Sequence, residues 1–334
     1  MISITPLPTP ATPASDATAA AATGPAYAVP REVMLADGTF AQLASLTAEE
    51  LAQLQFEQEQ KFAQAILAFP ARSQERGMVV GQAYDTVCGI LAALRAAEGH
   101  GDQPLVMGFD ERYARLVLKL LQKQIAHGIG QPRLFEIGFG SAALLKEIRG
   151  HGFSVGGIEV STTMRDQAAV ELGPRYAPDL LLGDFREIAA DDLPGAPTVV
   201  FWNDVLEHLA PDEAQEFVDH AYRLLKPGGA LVTITPNWLL RPSDVTCCFH
   251  PPRTTACGLH LKEYRLAEVS RLLKRAGFRR VATPAFATHG QLVMFGGGFR
   301  RTKQLLEPAL DRAPLKLARL LCRGWAMSCT VATK

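Results

Sequence analysis

The chain of 334 residues has no excess of either charge: 34 lysines and arginines stand against 34 aspartates and glutamates, and the isoelectric point is about 7.1. Proteins that bind nucleic acid through their whole surface carry a basic excess, so the balance argues against that class. No apolar run approaches the roughly 20 residues that cross a bilayer, so no transmembrane segment is expected. No basic start leading into an apolar core opens the chain, which argues against a secretory signal. The six cysteines follow no disulfide-framework spacing and include no Cys-x-x-Cys pair, so a reducing, cytoplasmic setting is expected. Residues 1–30 have almost no charge and no large apolar pattern, being mostly Ala, Thr and Pro. Such a stretch cannot repay its ordering entropy, and a disordered tail is expected over 1–38. Internal repeats are absent.

What is present is a sizeable core, with 48% hydrophobic residues in a chain longer than one average domain. A helical cap is expected over 39–109. Thr47 and Glu50 have capping-box spacing, and Leu51, Leu54, Phe62 and Ile66 give the first helix an apolar face. Val87, Ile90, Leu91 and Leu94 mark a second helix. A third starts at Asp110, through Tyr113, Leu116, Val117, Leu120 and Leu121, and leads into the next domain.

From Pro132 short apolar strands alternate with helices. Strands are expected at 134–137, 154–159, 179–182, 198–202 and 230–235, with helices from Ser141 and Thr162, through Phe217–Leu225 and through Leu266–Leu273, the last ending at Gly277. Sixth and seventh strands follow at 281–286 and 326–333. This alternation predicts an α/β domain over 110–334: a Rossmann-like, mostly parallel seven-stranded sheet with helices on both faces, plus the N-terminal cap. Insertions are expected near 238–261 and 288–324.

The run Glu136-Ile137-Gly138-Phe139-Gly140-Ser141-Ala142-Ala143 joins the first strand to its helix. Its glycines permit a tight turn and close approach of a ligand to the backbone. Glu159 ends the second strand about twenty residues on, where an acid holds ribose hydroxyls. These features suit a nicotinamide dinucleotide and S-adenosylmethionine alike. Three further runs discriminate: Gly183-Asp184-Phe185 after the third strand, where the pair could hold and cover an adenine; Asn203-Asp204-Val205-Leu206-Glu207-His208-Leu209 after the fourth; and Leu225-Lys226-Pro227-Gly228-Gly229 before the fifth, which ends Thr235-Pro236-Asn237.

In this order the runs resemble class I S-adenosylmethionine-dependent methyltransferases, from about 110 to 334. Among these, the chain resembles ubiquinone-pathway O-methyltransferases. One departure is Ala142, where many members have a third glycine. The resemblance implies S-adenosylmethionine bound by Glu136, Gly138, Gly140, Glu159, Asp184, Phe185 and Asn203.

Methyl transfer is an in-line displacement at a sulfonium, and a hydroxyl acceptor must also lose its proton. Glu207, His208 and His260 are the candidate catalytic residues, histidine having a suitable pKa. Alternatively, Asp204, Glu207 and His208 hold Mg²⁺ or Mn²⁺. Their spacing resembles the metal-binding E-x-x-E-H of the ubiquinone-pathway enzymes and the small-RNA 2′-O-methyltransferases, although Asp204 is one methylene shorter than the usual Glu.

The insertion at 238–261 contains Cys247, Cys248, His250, Cys257 and His260. Zinc is one reading; an active-site lid is the other, with His250 or His260 reaching the acceptor or completing a metal shell. The run from Gly258 to Tyr264 resembles the H-x-x-x-(F/Y) approach to the next helix in relatives. From Arg300 to Lys334 eight cations stand against Glu307 and Asp311. The basic helix near Pro314–Arg323 could make weak membrane-surface contact, meet a phosphate-bearing acceptor, or only cover the sheet.

The expected function is methylation of a small-molecule or carrier-linked hydroxyl. An RNA 2′-O-methyltransferase is the alternative among methyltransferases. A non-catalytic cofactor-fold partner protein and an NAD-dependent oxidoreductase are the alternatives of other classes. Acceptor identity and oligomeric state are not legible.

Overall fold

The structure, a computed structural model, describes residues 29–100 and 108–334. Most of the expected tail, 1–28, lies outside the described residues. Its last part does not behave as a tail. A hairpin of β1 (Glu32–Met34) and β2 (Phe40–Gln42) pairs Val33 with Ala41, and Val33 is buried. Asp37-Gly38 makes the turn, with Gly38 at φ +81°, a local hairpin signal that overall composition had hidden.

The cap helices are α1 (Ala48–Ala68) and α2 (Gln74–Ala97). The expected capping box closes on α1: Glu50 N donates to Thr47 Oγ1 at 3.2 Å and Thr47 N donates to Glu50 Oε2 at 2.8 Å. By length and composition α2 is apolar enough to cross a membrane, contrary to the expectation that no segment would be. Here it packs on α1, β1 and α5 (Thr162–Leu172). Its buried Arg76 donates to Glu213 Oε2 at 2.8 Å and Asp212 Oδ1 at 2.9 Å, which ties the cap to the domain and fits a core helix better than a spanning one.

The remaining elements alternate. After α3 (Glu111–Ala126), capped by Asp110, come β3 (Arg133–Ile137), α4 (Ala143–Gly150), β4 (Ser154–Glu159), α5, β5 (Leu180–Leu182), β6 (Val199–Asn203), α6 (Ala214–Leu224) and β7 (Ala230–Ile234). Then follow α7 (Thr246–Phe249), α8 (Leu266–Arg275), β8 (Arg280–Ala282), β9 (Phe286–Ala287), β10 (Leu292–Val293), α9 (Arg300–Arg312), α10 (Leu315–Gly324) and β11 (Cys329–Thr333). The expected sixth strand stops at Ala282, before Pro284, which cannot donate to a ladder. The expected insertion at 288–324 contains β10, α9 and α10, the last at the place of the expected basic helix.

The seven-stranded sheet has the order β5-β4-β3-β6-β7-β11-β8, as expected mostly parallel. Only β11 runs antiparallel to its neighbours. Strand alternation sends Leu134, Val199 and Val232 to a core under α3 and α4, and Phe135, Val200 and Leu231 to a second core under α6 and α8. The chain leaves β3 first toward β4 and β5, then crosses to β6. The crevice at the carboxyl ends of β3 and β6 is therefore the switch point where ligands bind in open α/β sheets.

Candidate active site

A cavity of about 920 Å³ opens at this switch point, between the loops after β3, β4, β5 and β6, the helices α1 and α2, and the 238–261 segment. The loop after β3 requires its glycines. Gly138 has φ +67°, and a Cβ there would lie 2.7 Å from Val205 Cγ2. Ala142 departs from the resembled pattern, yet holds the left-handed conformation (φ 58°, ψ 25°) as N-cap of α4 and is fully buried.

Glu159 is buried at the end of β4. Its Oε2 accepts from Gly140 N at 2.9 Å, and its Oε1 accepts from Val160 N at 2.8 Å and Ser161 N at 3.3 Å. Burial raises its pKa despite these three donors. Glu136 is also buried, and its pKa is pushed well up by burial and then by Glu159. Its Oε2 has no hydrogen-bond partner, nor has Oδ1 of Asn203. Both residues border one small recess with Gly138. Two orphaned acceptors beside a glycine loop suit an ammonium group, as on the amino-acid end of S-adenosylmethionine, while Glu159 suits a ribose.

Asp184 and Phe185 divide. Asp184 accepts from Arg186 N at 2.8 Å and Arg186 Nε at 3.0 Å. The Phe185 ring is buried in the core, 6.3 Å from the Phe135 ring and 6.2 Å from that of Phe217. Both residues line the cavity, where the ring packs from the core side.

The loop after β6 carries the acid and imidazole groups. Asp204 takes φ +52°, and burial raises its pKa. Glu207 is fully buried: Thr235 Oγ1 donates to its Oε2 at 2.9 Å, while Oε1 has no partner. Burial, then Asp204, pushes Glu207 up to about 8. His208 Nδ1 donates to Leu259 O at 2.9 Å, which leaves Nε2 without a proton. Burial, then His260, pushes His208 down to about 3. The His260 ring stands edge-on to it at 4.7 Å, with Nδ1 3.6 Å from Glu263 Oε1. Burial works to lower the His260 pKa, but Glu263 and Glu207 outweigh it and the net direction is up.

Ligand atoms of Glu207, His208 and His260 lie within 4.8 Å of one another, the arrangement a divalent cation would use. Asp204 stands outside that group. Among the described residues Cys247, Cys248, Cys257 and His250 form no metal-holding group. Cys247 and Cys248 are exposed, Cys257 accepts from Gln60, and the His250 ring packs on Phe56. The 238–261 segment does roof the cavity, through Ser243, Asp244, Val245, Leu259 and His260.

Four site residues were missed from sequence. Tyr84 of α2 lies 5.7 Å edge-on to His208. Glu59 of α1 accepts from Leu259 N at 3.1 Å. Asp244 accepts from Gly258 N at 3.0 Å, and Glu263 accepts from Ser243 N at 2.7 Å. Glu59 was findable, because it interrupts the apolar face of α1 between Phe56 and Phe62.

With this geometry established, comparison with known proteins is decisive on the family. Residues 108–283 match the methyltransferase domain family. The chain belongs to that family. A probable S-adenosylmethionine-dependent methyltransferase of Mycolicibacterium smegmatis is 37% identical over 102 residues, which is 30% of this chain and 35% of the relative. An uncharacterized methyltransferase of Geobacillus thermodenitrificans is 32% identical over 130 residues, 38% of this chain and 58% of the relative. The matches thus span between about a third and somewhat over half of these curated relatives. A S-adenosylmethionine-dependent methyltransferase structure from Archaeoglobus fulgidus overlays with a TM-score of 0.41 at 19% identity, covering 66% of this chain and 94% of that one.

Proposed function

We propose that this methyltransferase uses S-adenosylmethionine to methylate a hydroxyl of a small-molecule or carrier-linked acceptor, with His260 as the general base. The observation that carries the reading is that His260 lines the cavity beside His208 and is backed from the protein side by Glu263, whose Oε1 lies 3.6 Å from its Nδ1. S-adenosylmethionine supplies an electrophilic methyl on a sulfonium. Glu159 would anchor its ribose, and Glu136 with Asn203 its ammonium. At the acceptor end a hydroxyl proton would pass to an imidazole that a carboxylate orients. Glu207, its pKa raised by burial and by Asp204, would share its proton with the Asp204 carboxylate that lines the cavity next to it.

The ligand-like convergence of Glu207, His208 and His260 favours a second reading. Each imidazole has a hydrogen-bonding or ion-pairing partner on Nδ1, as metal-ligating histidines do. A bound Mg²⁺ or Mn²⁺ would polarise the acceptor hydroxyl as a Lewis acid. Neither an RNA acceptor nor a dehydrogenase has an observation in its favour. The test is transfer of a labelled methyl group from S-adenosylmethionine to fractionated acceptors, with and without chelator.

A further inference from the structure

Eight of the seventeen large apolar side chains exposed among the described residues lie between Phe286 and Leu320. The most prominent are Leu305, 80% exposed, Phe295 at 69%, Leu320 at 68% and Phe299 at 62%. They sit on α9, on α10 and on the segment from the β9–β10 hairpin into α9; α10 packs against both α9 and β9. On α10 the usual order of a surface helix is reversed. Ala318 and Cys322 face inward, while Leu317 and Leu320 face solvent one turn apart.

The charges of this region are sorted by side. Both acids of α9 turn inward: Glu307 accepts from Asn237 Nδ2 at 2.7 Å and Leu266 N at 3.0 Å, and Asp311 accepts from Arg241 and Arg265, each at 2.7 Å. The buried Lys303 caps backbone carbonyls. What remains toward solvent is cationic. Arg301, Arg312, Lys316 and Arg323 are exposed and have no ion-pair partner among the described residues. Apolar side chains projecting between unpaired cations complement an anionic lipid surface: the cations meet headgroup phosphates while the Leu and Phe side chains enter the acyl boundary. A soluble partner with an acidic rim would need its own apolar surface here, whereas an anionic bilayer supplies both properties everywhere.

We propose that the α9–α10 face, with the segment from Phe286 to Phe299, docks on anionic membrane surfaces. The face is attached to the catalytic roof, since Asp311 holds Arg241 and, through Trp238 Nε1 at 3.2 Å, the start of the 238–261 segment. The test is co-sedimentation of the full chain with phosphatidylcholine vesicles, with and without phosphatidylglycerol. Binding is expected only to the anionic vesicles, and to fall with added salt. Leu305→Glu with Leu320→Glu is expected to lower partitioning at least roughly tenfold, and Arg301→Gln with Lys316→Gln on the order of tenfold. These side chains are exposed, so unchanged thermal melts serve as the control for folding. Failure of the wild type to bind, equal binding to both vesicle types, or variants that bind like the wild type would overturn the proposal. So would a wild-type dimer seen by light scattering that the leucine variant dissociates without any vesicle binding, since the face would then belong to a second copy.

Discussion

His208 and His260 stand edge-on with ring centroids 4.7 Å apart, yet their basicities are driven in opposite directions. The cause is what each Nδ1 faces. A main-chain carbonyl satisfies His208 without charge, and burial keeps it neutral, whereas Glu263 gives His260 a carboxylate. Two adjacent imidazoles pushed apart in this way allow one to take a proton while the other stays a fixed neutral group.

On the base reading His260→Ala therefore lowers turnover by roughly 10²–10⁴-fold. Glu263→Gln lowers it less and also shifts the acidic limb of the kcat/KM profile to lower pH, because the carboxylate no longer raises the His260 pKa. EDTA has no effect. On the metal reading EDTA abolishes turnover, Mg²⁺ or Mn²⁺ restores it, and His208→Ala and Glu207→Ala are as damaging as His260→Ala. Asp204→Ala is milder in both cases, since Asp204 lies outside the converging ligand atoms. Turnover of all four alanine variants in EDTA, followed by metal add-back, separates the readings.

Glu207 makes stability fall with pH. Its folded-state pKa of about 8 lies above the ordinary carboxyl value near 4.5, so the folded state holds the proton more tightly than the unfolded one. Its favourable contribution is complete below about 4.5 and is lost as pH rises through about 8. Glu207→Gln keeps the neutral form at every pH. Melting temperatures measured across this window should decline in the wild type relative to the variant; parallel curves would show that Glu207 titrates normally.

The extent of the sheet, the cap helices and the glycine loop after β3 were legible because they rest on local period and on glycine placement. Strand ends at Glu159 and the α5 start at Thr162 coincide with expectation. The acceptor end was not legible in the same way. Glu59, Tyr84, Asp244 and Glu263 come from three separate segments, and only tertiary packing brings them to His208 and His260. Phe185 is a related case: sequence places it after β5, but only the fold shows that its ring packs on Phe135 and Phe217 while it lines the cavity.

Two small-residue substitutions test the packing in and around the glycine loop after β3. In Ala142→Gly, relief of left-handed strain is worth about 1 kcal/mol and loss of the buried methyl about 0.8 kcal/mol. These nearly cancel, so stability should barely change. Gly157→Ala places a Cβ 2.4 Å from Glu136 O and 2.8 Å from the Phe139 ring. That backbone contact cannot yield cheaply, and a loss of about 1–3 kcal/mol is expected in denaturant melts.

Glu159→Ala should weaken S-adenosylmethionine binding by about 1.5–3 kcal/mol, the scale of a lost charged hydrogen bond. It should also loosen the turn that Glu159 makes with Gly140, Val160 and Ser161. Glu159→Gln retains one acceptor oxygen and is expected to fall between the two. Calorimetry on the folded variants reads this directly, and unchanged affinity in Glu159→Ala would remove it from the cofactor site.

Methyl transfer to a hydroxyl is the reaction on which the proposed function stands. It is tested most directly by incubating the full chain with methyl-labelled S-adenosylmethionine and fractionated acceptors, then identifying the labelled bond and the S-adenosylhomocysteine released. An O-methyl product formed in step with S-adenosylhomocysteine is expected, and its loss in His260→Ala while S-adenosylmethionine still binds. Label found on nitrogen or carbon, or a chain that binds no S-adenosylmethionine, would contradict it.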